Sequence, residues 1–461
     1  MQPQRFAALK YGDFRLYWIG HVVSVSGQQM LWMLEPWLIY EISGSKAYLG
    51  VNALAQAIPA TALVLLGGVI ADKLDQRKLL IAVQVAYIAL LSTLAALALT
   101  ELLEVWHIFV IAFIQAAVGS FENPARQSMF PHLISRDALP NAVALNAAIH
   151  PATRIGAPVL GGFILALVLG ATDSARIAAG IVWLIAISGI AVYALMLTRI
   201  RLPPINRSRG GSVLDDMARG VRFIWRNRTF AFLIGLAYYS MFFGNSMTIL
   251  FPVIAKDSLH VGPEVLGVMW GAMGIGSLVG VVVASNLSAP SHQRWLLLGS
   301  LPLLGASMIA FALTPIYWLS LVVLFALGTG GSALNVGIQQ NLQMLVPNEF
   351  RGRVMGLWGI VHSSVRPLGE LQFSGIAAVA TAPFSLILNG AMVIAAAAFL
   401  GIHGRPTRRL IDRREAAVAE AAQQRPVYAS RESGPFETVE ATDDPARERS
   451  QHVPPTGSND R

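Results

Sequence analysis

The sequence predicts an all-α polytopic membrane protein, with twelve transmembrane helices in two pseudo-symmetric six-helix bundles. Three observations predict it: long apolar runs, few charges and a weak internal repeat. Charged residues make up 13% of the chain and hydrophobic residues 54%, whereas soluble domains carry about 25% charged residues. A helix needs about 20 mostly apolar residues to cross a bilayer core. Runs of that kind predict spans at 16–40, 47–71, 79–100, 106–126, 141–168, 176–198, 229–254, 263–288, 295–314, 316–343, 354–380 and 383–402.

The runs are continuous rather than alternating, which favours helices over a β-barrel. The first run is interrupted by Gln28, Gln29 and Glu35 and is too long for a cleaved signal peptide. The chain has no cysteine, which excludes disulfides, thiolate catalysis and cysteine metal sites. It also lacks a Gly-rich phosphate loop and His–acid pairs at metal-ligand spacing within a span. We therefore predict no enzyme activity, no cofactor and no bound metal.

The longest internal hydrophilic stretch, residues 199–228, separates two sets of six spans. It predicts an N-terminal bundle over 1–198, a linker over 199–228 and a C-terminal bundle over 229–402. Residues 403–461 lack apolar runs and are predicted to form a disordered cytoplasmic tail.

Within the linker, four apolar residues recur at helical spacing: Val213, Met217, Val221 and Ile224. The pattern predicts a short amphipathic helix on the inner leaflet. An inert linker and a gating strut both remain open.

The two halves repeat weakly. His150 and Arg154 lie four residues apart in span 5, and His362 and Arg366 show the same spacing in span 11, 212 residues later. Both arginines fall near the middle of their spans. This equal depth favours a duplicated six-helix unit with a site between the halves.

Lys and Arg in short loops predict the orientation, because cytoplasmic loops carry the excess of basic residues. The opposite loops hold only Lys46, Arg176 and Lys256. The prediction is a multi-pass protein of the inner (plasma) membrane with both termini cytoplasmic. The same bias accounts for the net charge of +8 better than nucleic-acid binding does. The basic loops contain Arg5, Lys10, Arg15, Lys73, Arg77, Lys78, Arg136, the arginines of 199–228, Arg294, Arg351 and Arg353.

The loop after span 2 carries the most specific motif. Gly68, Asp72, Lys73, Arg77 and Lys78 are spaced as in the loop between spans 2 and 3 of the major facilitator superfamily, which this sequence resembles. The segments 40–45, 123–127 and 139–146 resemble its drug- and siderophore-exporter-like branch, which includes enterobactin exporters.

The resemblance implies that this loop is a latch that holds the two halves in one state and releases them in another. Physically, Gly68 lets another helix approach, and Asp72 can cap a helix or pair with a base. The sequence departs from the family pattern at Asp75 and Gln76, which indicates that the contacts of the latch differ from those of the family. A merely basic, orienting loop is the alternative.

Span 5 continues through Gly156, Pro158, Gly161 and Gly162, which is similar to the glycine-proline motif of antiporter branches. Ala157 replaces the usual glycine. The small residues are expected to allow tight contact with span 8, which offers matching glycines. The motif favours export, and ordinary helix packing is the alternative. The span 8 glycines are Gly267, Gly271, Gly276 and Gly280.

Charges inside the spans are the candidate substrate or proton pathway, because a central charge costs about 2.5–3.5 kcal/mol on insertion scales. Arg366 and Glu370 are four residues apart and able to pair, as are Glu122 and Arg126. Static intrahelical salt bridges are the alternative. The candidates are Gln28, Gln29, Glu35, Glu122, Arg126, Arg154, Arg366 and Glu370.

Glu35 precedes Pro36 and has no basic neighbour in the sequence. A buried carboxylate there is expected to bind a proton, which makes Glu35 a candidate proton carrier. One feature argues against proton coupling: Ala112 stands three residues before Gln115, where many proton-coupled relatives carry arginine.

These observations predict a monomeric secondary active transporter in the lipid bilayer that works by alternating access. The expected activity is proton-coupled efflux of an amphipathic small molecule such as a drug or siderophore. Two alternatives stay open: an importer or facilitator on the same fold, and a membrane receptor or scaffold that moves nothing.

Overall fold

The computed structural model describes residues 7–200, 213–287, 289–360, 364–403 and 412. The predicted tail from residue 404 lies outside this description except for residue 412. So do the side chains of 64–73, 136, 213–218, 290, 291, 294, 348, 349, 360 and 403.

Helices form all regular structure in the described residues. The first half contains seven α-helices, and short 3-10 turns precede α1 and join α5 to α6. They are α1 Gly12–Ser43, α2 Lys46–Lys73, α3 Gln76–Leu99, α4 Val105–Gly119, α5 Glu122–Met129, α6 Leu139–Thr172 and α7 Ala175–Arg199.

The linker contributes α8, and the second half holds the rest. A 3-10 turn over Asn245–Leu250 and a π turn over Ile254–Ser258 flank the short α10. The helices are α8 Val213–Arg226, α9 Arg228–Phe243, α10 Phe251–Val253, α11 Pro263–Asn286, α12 Pro290–Leu313, α13 Tyr317–Leu345, α14 Asn348–Ile360, α15 Arg366–Val379 and α16 Ala382–His403.

Every predicted span falls on a helix or on a chain of shorter helices. Among the described residues, nine helical segments are long and apolar enough to cross a membrane. The predicted spans 16–40, 47–71 and 354–380 are not among these nine, so the structure supports many spans without fixing the number at twelve. The described part of span 11 contains only the 14-residue α15 after residues 361–363, and the side chains of 64–73 in span 2 lie outside the description.

Several spans that the sequence predicts as continuous are broken. Span 4 divides between α4 and α5, and span 7 leaves α-helical geometry after Phe243. Gly244 is the C-cap of α9, and Pro252 lies in the first turn of α10, where proline is tolerated. In span 11, residues 361–363 lie outside the described part of the chain, and α15 starts at Arg366 with Pro367 in its first turn, where proline is tolerated.

The two halves meet mainly through two helix pairs, α6 with α11 and α2 with α15. Within the first half α7 packs on α1 and α3, and within the second half α13 packs on α11 and α12. The contact between the halves is therefore made by few helices, which leaves space between the other facing surfaces.

The predicted amphipathic helix is present as α8, and it packs on α14. The rings of Phe223 and Phe350 stack with their centroids 4.3 Å apart. Ile224 is buried, whereas Trp225 is 79% exposed. Because α8 contacts the start of span 11, the linker is attached to the second half at this point.

Candidate functional site

A central cavity of about 730 Å³ lies between the two halves. The first half contributes Glu35 from α1 and Arg154 from α6, and the second half contributes Arg366 from α15. The two arginines predicted from the repeat thus line one space. Polar and aromatic side chains complete the wall, including Gln29, Trp32, Asn52, Gln56, Asn245 and Trp270.

A second cavity of about 890 Å³ shares Trp32, Glu35 and Gln56 with the first. It extends to Gln127 in α5 and Gly352 in α14, and Gln28 is also part of its wall. The combined space therefore runs from the centre towards the end of the molecule where α5 and α14 lie.

Arg366 and Glu370 form the ion pair that their spacing predicts. The Arg366 Nε lies 2.7 Å from a carboxylate oxygen of Glu370, one turn further along α15. The guanidinium also lies 5.0 Å from the ring centroid of Trp32, within the range of a cation–π contact. The ion pair and the ring together hold Arg366 against the cavity wall.

Arg154 has a different environment. Its guanidinium lies 5.7 Å from the ring centroid of Trp270 in α11. Its Nε is buried and has no hydrogen-bond partner. The ion pairs of the described residues do not include Arg154.

Glu35 lines both cavities and is likewise absent from the ion pairs of the described part of the chain. The neighbouring glutamines divide: Gln28 has a buried, unpartnered Nε2, whereas Gln29 donates to the carbonyl of His150 at 3.4 Å. Glu35 therefore lines this space without an ion-pair partner among the described residues.

Glu122 and Arg126 lie outside the walls of both cavities. Their charged groups approach to 3.8 Å, and Arg126 is also 2.9 Å from the His21 ring. The helical turn places their neighbours Asn123 and Gln127 on the cavity side. This pair has the environment of a structural contact between α5 and α1.

At the opposite end, a cluster that the sequence did not predict joins the halves. The Lys46 Nζ lies 3.3 Å from Asp257, and the Lys256 Nζ lies 2.7 Å from Glu41. The Tyr40 hydroxyl donates to both carboxylate oxygens of Asp257, at 2.7 and 2.8 Å. We call these five residues the polar clasp. One feature of the sequence could have pointed to this cluster. The loops at this end hold only three basic residues, and two of them, Lys46 and Lys256, belong to the cluster.

The residues of the predicted latch divide into two groups. The side chains of Gly68, Asp72 and Lys73 lie outside the described residues, although α2 runs through these positions. Arg77 donates to the carbonyls of Leu197 and Thr198 at the end of α7. This contact lies within the first half and satisfies carbonyls that a helix end leaves free.

The start of α3 explains the departure from the family pattern. Lys78 is exposed, and its backbone N–H donates to the Asp75 side chain at 3.1 Å. Asp75 is thus the N-cap of α3, a position that favours aspartate.

The glycines of span 5 have unequal surroundings. A Cβ on Gly162 would lie 2.5 Å from the carbonyl oxygen of Pro263, and one on Gly267 would lie 2.5 Å from that of Pro158. These positions hold α6 and α11 together, as expected. Gly161 instead faces methionines of α1, and a Cβ on Gly156 would meet nothing within 4 Å.

The glycines of span 8 also divide between two partners. A Cβ on Gly271 would approach Val159 of α6, whereas Gly276 and Gly280 face α13. The expectation that all four face span 5 is therefore wrong for the last two. A helix has several faces, and α11 packs on both α6 and α13.

Within the described ranges, no group of three His, Cys, Asp or Glu side chains is arranged to hold a metal ion.

The sequence is similar to those of several exporters. It is 22% identical to macrolide efflux protein A of Streptococcus pyogenes, covering 84% of this chain and 95% of that protein. It is 26% identical to the multidrug efflux pump Tap of Mycolicibacterium fortuitum, covering 78% and 88%. It is 21% identical to the enterobactin exporter EntS of Shigella dysenteriae, covering 82% and 88%.

The fold is similar to that of a solved transporter. A bacterial homologue of the human lysosomal transporter Spinster, in its inward-facing and unoccupied conformation, superposes with a TM-score of 0.68 at 14% identity. The match covers 90% of this chain and 99% of that one. Residues 4–431 match the model of the transmembrane secretion effector family. The chain therefore belongs to the transmembrane secretion effector family of the major facilitator superfamily, and it is a multi-pass membrane transporter of a small molecule rather than an enzyme.

Proposed function

We propose that this chain is a secondary active exporter that moves an amphipathic small molecule by alternating access, coupled to proton entry. The relatives are named for macrolide efflux, multidrug efflux and enterobactin export. Their substrates differ in shape, so the relatives support export of a bulky organic molecule without selecting one. The mixed aromatic and polar wall of the central cavity suits a cargo with both characters.

The observation that carries the proposal is the asymmetry of the space between the halves. The cavities continue towards α5 and α14, whereas the polar clasp joins the halves at the opposite end. A transporter that exposes a central site to one side at a time requires such an arrangement in each of its end states.

The polar clasp has the physical properties of a gate. The side chains of its ion pairs are between 25% and 49% exposed. Pairs of this exposure contribute on the order of 1 kcal/mol or less each. Such contacts favour one state and still break when the halves move, so the clasp is proposed as the gate of this end.

The basic loops supply the orientation. Their excess of Lys and Arg favours a cytoplasmic location for both termini and the α2–α3 loop, in the inner (plasma) membrane. The clasp then faces outwards and the cavity opens inwards, ready to load a cargo for export. In the same proposal, 1–198 and 229–402 move as two bundles within one monomer and Asp72 belongs to the inner latch.

Glu35 is proposed as the proton carrier. It is reachable from both cavities, and a carboxyl group can exist in charged and neutral forms inside the protein. Binding of a proton from outside and its release inside would supply the energy for export.

The test is transport by purified protein in liposomes with an imposed pH gradient. Radiolabelled erythromycin and enterobactin serve as probes, and protein-free liposomes as the control. The proposal predicts that at least one probe moves against its gradient, opposite to the proton flow. Movement of the probes with the protons would favour the importer on the same fold, and binding of either probe without any transport would favour a receptor.

A further inference from the structure

We propose that the central cavity recognises an anionic group on its cargo, with Arg154 as the anion-binding residue and the two tryptophans beside the arginines as the surface for the apolar part. This inference rests on the proposed function, since it names the chemical class of cargo that the same cavity accepts.

The charges of the cavity wall give the first argument. Four of its described side chains are carboxylates or guanidinium groups: Glu35, Arg154, Arg366 and Glu370. Arg366 and Glu370 neutralise each other through their 2.7 Å contact. Of these four, one guanidinium and one carboxyl group remain beside the His150 imidazole, and the ion pairs seen in the described residues leave both without a charged partner.

The remaining two groups are not chemically equivalent. A carboxyl group such as that of Glu35 becomes neutral when it binds a proton, whereas a guanidinium stays charged at every physiological pH. A charged group whose donor atom is buried, as the Nε of Arg154 is, is costly unless an opposite charge or hydrogen bonds compensate it. Arg154 is therefore the charged group that an anion on the cargo would compensate at every physiological pH.

The geometry around Arg154 fits such a ligand. Its Nε is a buried donor with no partner, on a residue that lines the cavity. A planar guanidinium binds a carboxylate or sulfonate through two parallel hydrogen bonds. The indole of Trp270 lies against the same guanidinium, so an apolar body attached to the anion meets an aromatic face at once.

The second tryptophan extends this surface. Trp32 lines both cavities, is 45% exposed and lies beside the neutralised Arg366. The cavity therefore combines one uncompensated positive charge with two aromatic faces. The corresponding cargo carries a carboxylate or sulfonate on an aromatic or aliphatic body.

The test compares three fluorescent probes that share one apolar body: dansylglycine, which is an anion, dansylglycinamide, which is neutral, and dansylcadaverine, which is a cation. Their dissociation constants are measured by fluorescence titration of the purified full chain in nanodiscs. Wild-type protein, Arg154→Gln and Arg154→Lys are compared, after size-exclusion chromatography has shown each variant to be folded. Arg154→Lys is the matched control because it keeps the positive charge.

We expect the wild type to bind the anion at least about tenfold more tightly than the neutral probe, because a charge-assisted hydrogen bond strengthens binding by about that factor. Arg154→Gln is expected to remove this preference while leaving the neutral probe within about twofold. Arg154→Lys is expected to keep part of the preference, because an ammonium group retains the charge and loses the paired hydrogen bonds. Equal binding of the three wild-type probes, or a preference for the cation, would overturn the proposal even if Arg154→Gln failed to fold.

Two further arms distinguish an inorganic anion from an amphipathic cargo, and binding from transport. Displacement of dansylglycine by millimolar chloride would assign Arg154 to an inorganic anion and overturn the amphipathic cargo. Binding is measured apart from transport, so the two proposals fail separately. Export of a cation by a protein that rejects dansylglycine would retain the exporter and refute the anion site, whereas anion preference without any transport would do the reverse.

Discussion

Glu35 shows how the function of one residue depends on what its neighbours can do. It lies in the cavity wall together with His150, Arg154 and the Arg366–Glu370 pair. None of these forms an ion pair with Glu35 in the described structure. In the proposed mechanism, this carboxyl group alternates between charged and neutral forms as the cavity opens to one side and then the other.

Glu35→Gln is expected to abolish the dependence of transport on the pH gradient, because glutamine keeps the size and polarity of the side chain and cannot carry a proton. The measurement is probe flux in liposomes as a function of external pH. Glu101→Gln, the same change at an exposed position, is the control. An unchanged pH profile in the Glu35 variant would eliminate Glu35 as the carrier.

Asp72→Asn is expected to reduce transport at least about tenfold while the protein remains folded and inserted, if Asp72 holds the inner latch through its charge. Asp75→Asn is the matched control, since asparagine is also a good N-cap and should preserve α3. Flux is measured in liposomes for both. Normal turnover of the Asp72 variant would refute the latch role of this carboxylate.

At the residue scale, the sequence predicted those site residues whose position follows from helix geometry. Arg154 and Arg366 lie equally deep in equivalent spans, so a common location between the halves could be predicted. Glu370 lies one turn beyond Arg366, so their ion pair could be predicted as well. The polar clasp was not, because Glu41 and Lys256 lie far apart in the chain, as do Lys46 and Asp257, and each pair meets only through tertiary structure.

At the element scale, the contact between α6 and α11 depends on the absence of side chains. Gly162 and Gly267 let the two helix backbones approach across the boundary between the halves. Such a contact allows close van der Waals packing where apolar burial supplies little driving force. It lies beside the central cavity, since Arg154 and Trp270 belong to the same two helices.

A matched pair of substitutions tests this contact. In Gly267→Ala the new methyl group would meet the Pro158 carbonyl, and overpacking of this kind costs about 1–3 kcal/mol. In Gly156→Ala the methyl group has free space, and alanine is favoured over glycine in helices by about 1 kcal/mol.

We therefore expect a lower midpoint of thermal unfolding for Gly267→Ala and an equal or higher one for Gly156→Ala. The measurement is thermal unfolding in detergent, followed by fluorescence. Equal midpoints for the two variants would show that the close approach at Gly267 does not stabilise the fold.

The elements themselves were largely predictable, because apolar length determines where a helix can cross a bilayer. The breaks within spans 4 and 7 were not, although Pro252 was visible in the sequence. A proline inside an apolar run permits a bend without determining whether the neighbouring helices will re-satisfy the freed carbonyl. The contact of Gly276 and Gly280 with α13 was not predicted either, since regular glycine spacing does not indicate which helix packs on it.

For the whole molecule, the central claim is that the two halves open and close alternately around the arginine-lined cavity. The polar clasp is the place where this claim can be tested most directly. It joins α1 and α2 of the first half to the segment Ile254–Ser258 of the second, at the end away from α5 and α14. If the halves must separate there to release cargo, any covalent link across the clasp must stop transport.

The absence of native cysteine makes the measurement direct, because two introduced cysteines would be the only thiols in the chain. The variant is Glu41→Cys with Lys256→Cys, which replaces a pair whose charged atoms are 2.7 Å apart. Probe flux in liposomes is measured before treatment with a reducible bis-methanethiosulfonate linker, after it, and after reduction. Each single-cysteine variant with the same linker is the control.

Alternating access predicts that the linker abolishes flux in the double variant only and that reduction restores it. Undiminished flux through protein shown to be fully crosslinked would contradict alternating access at this gate.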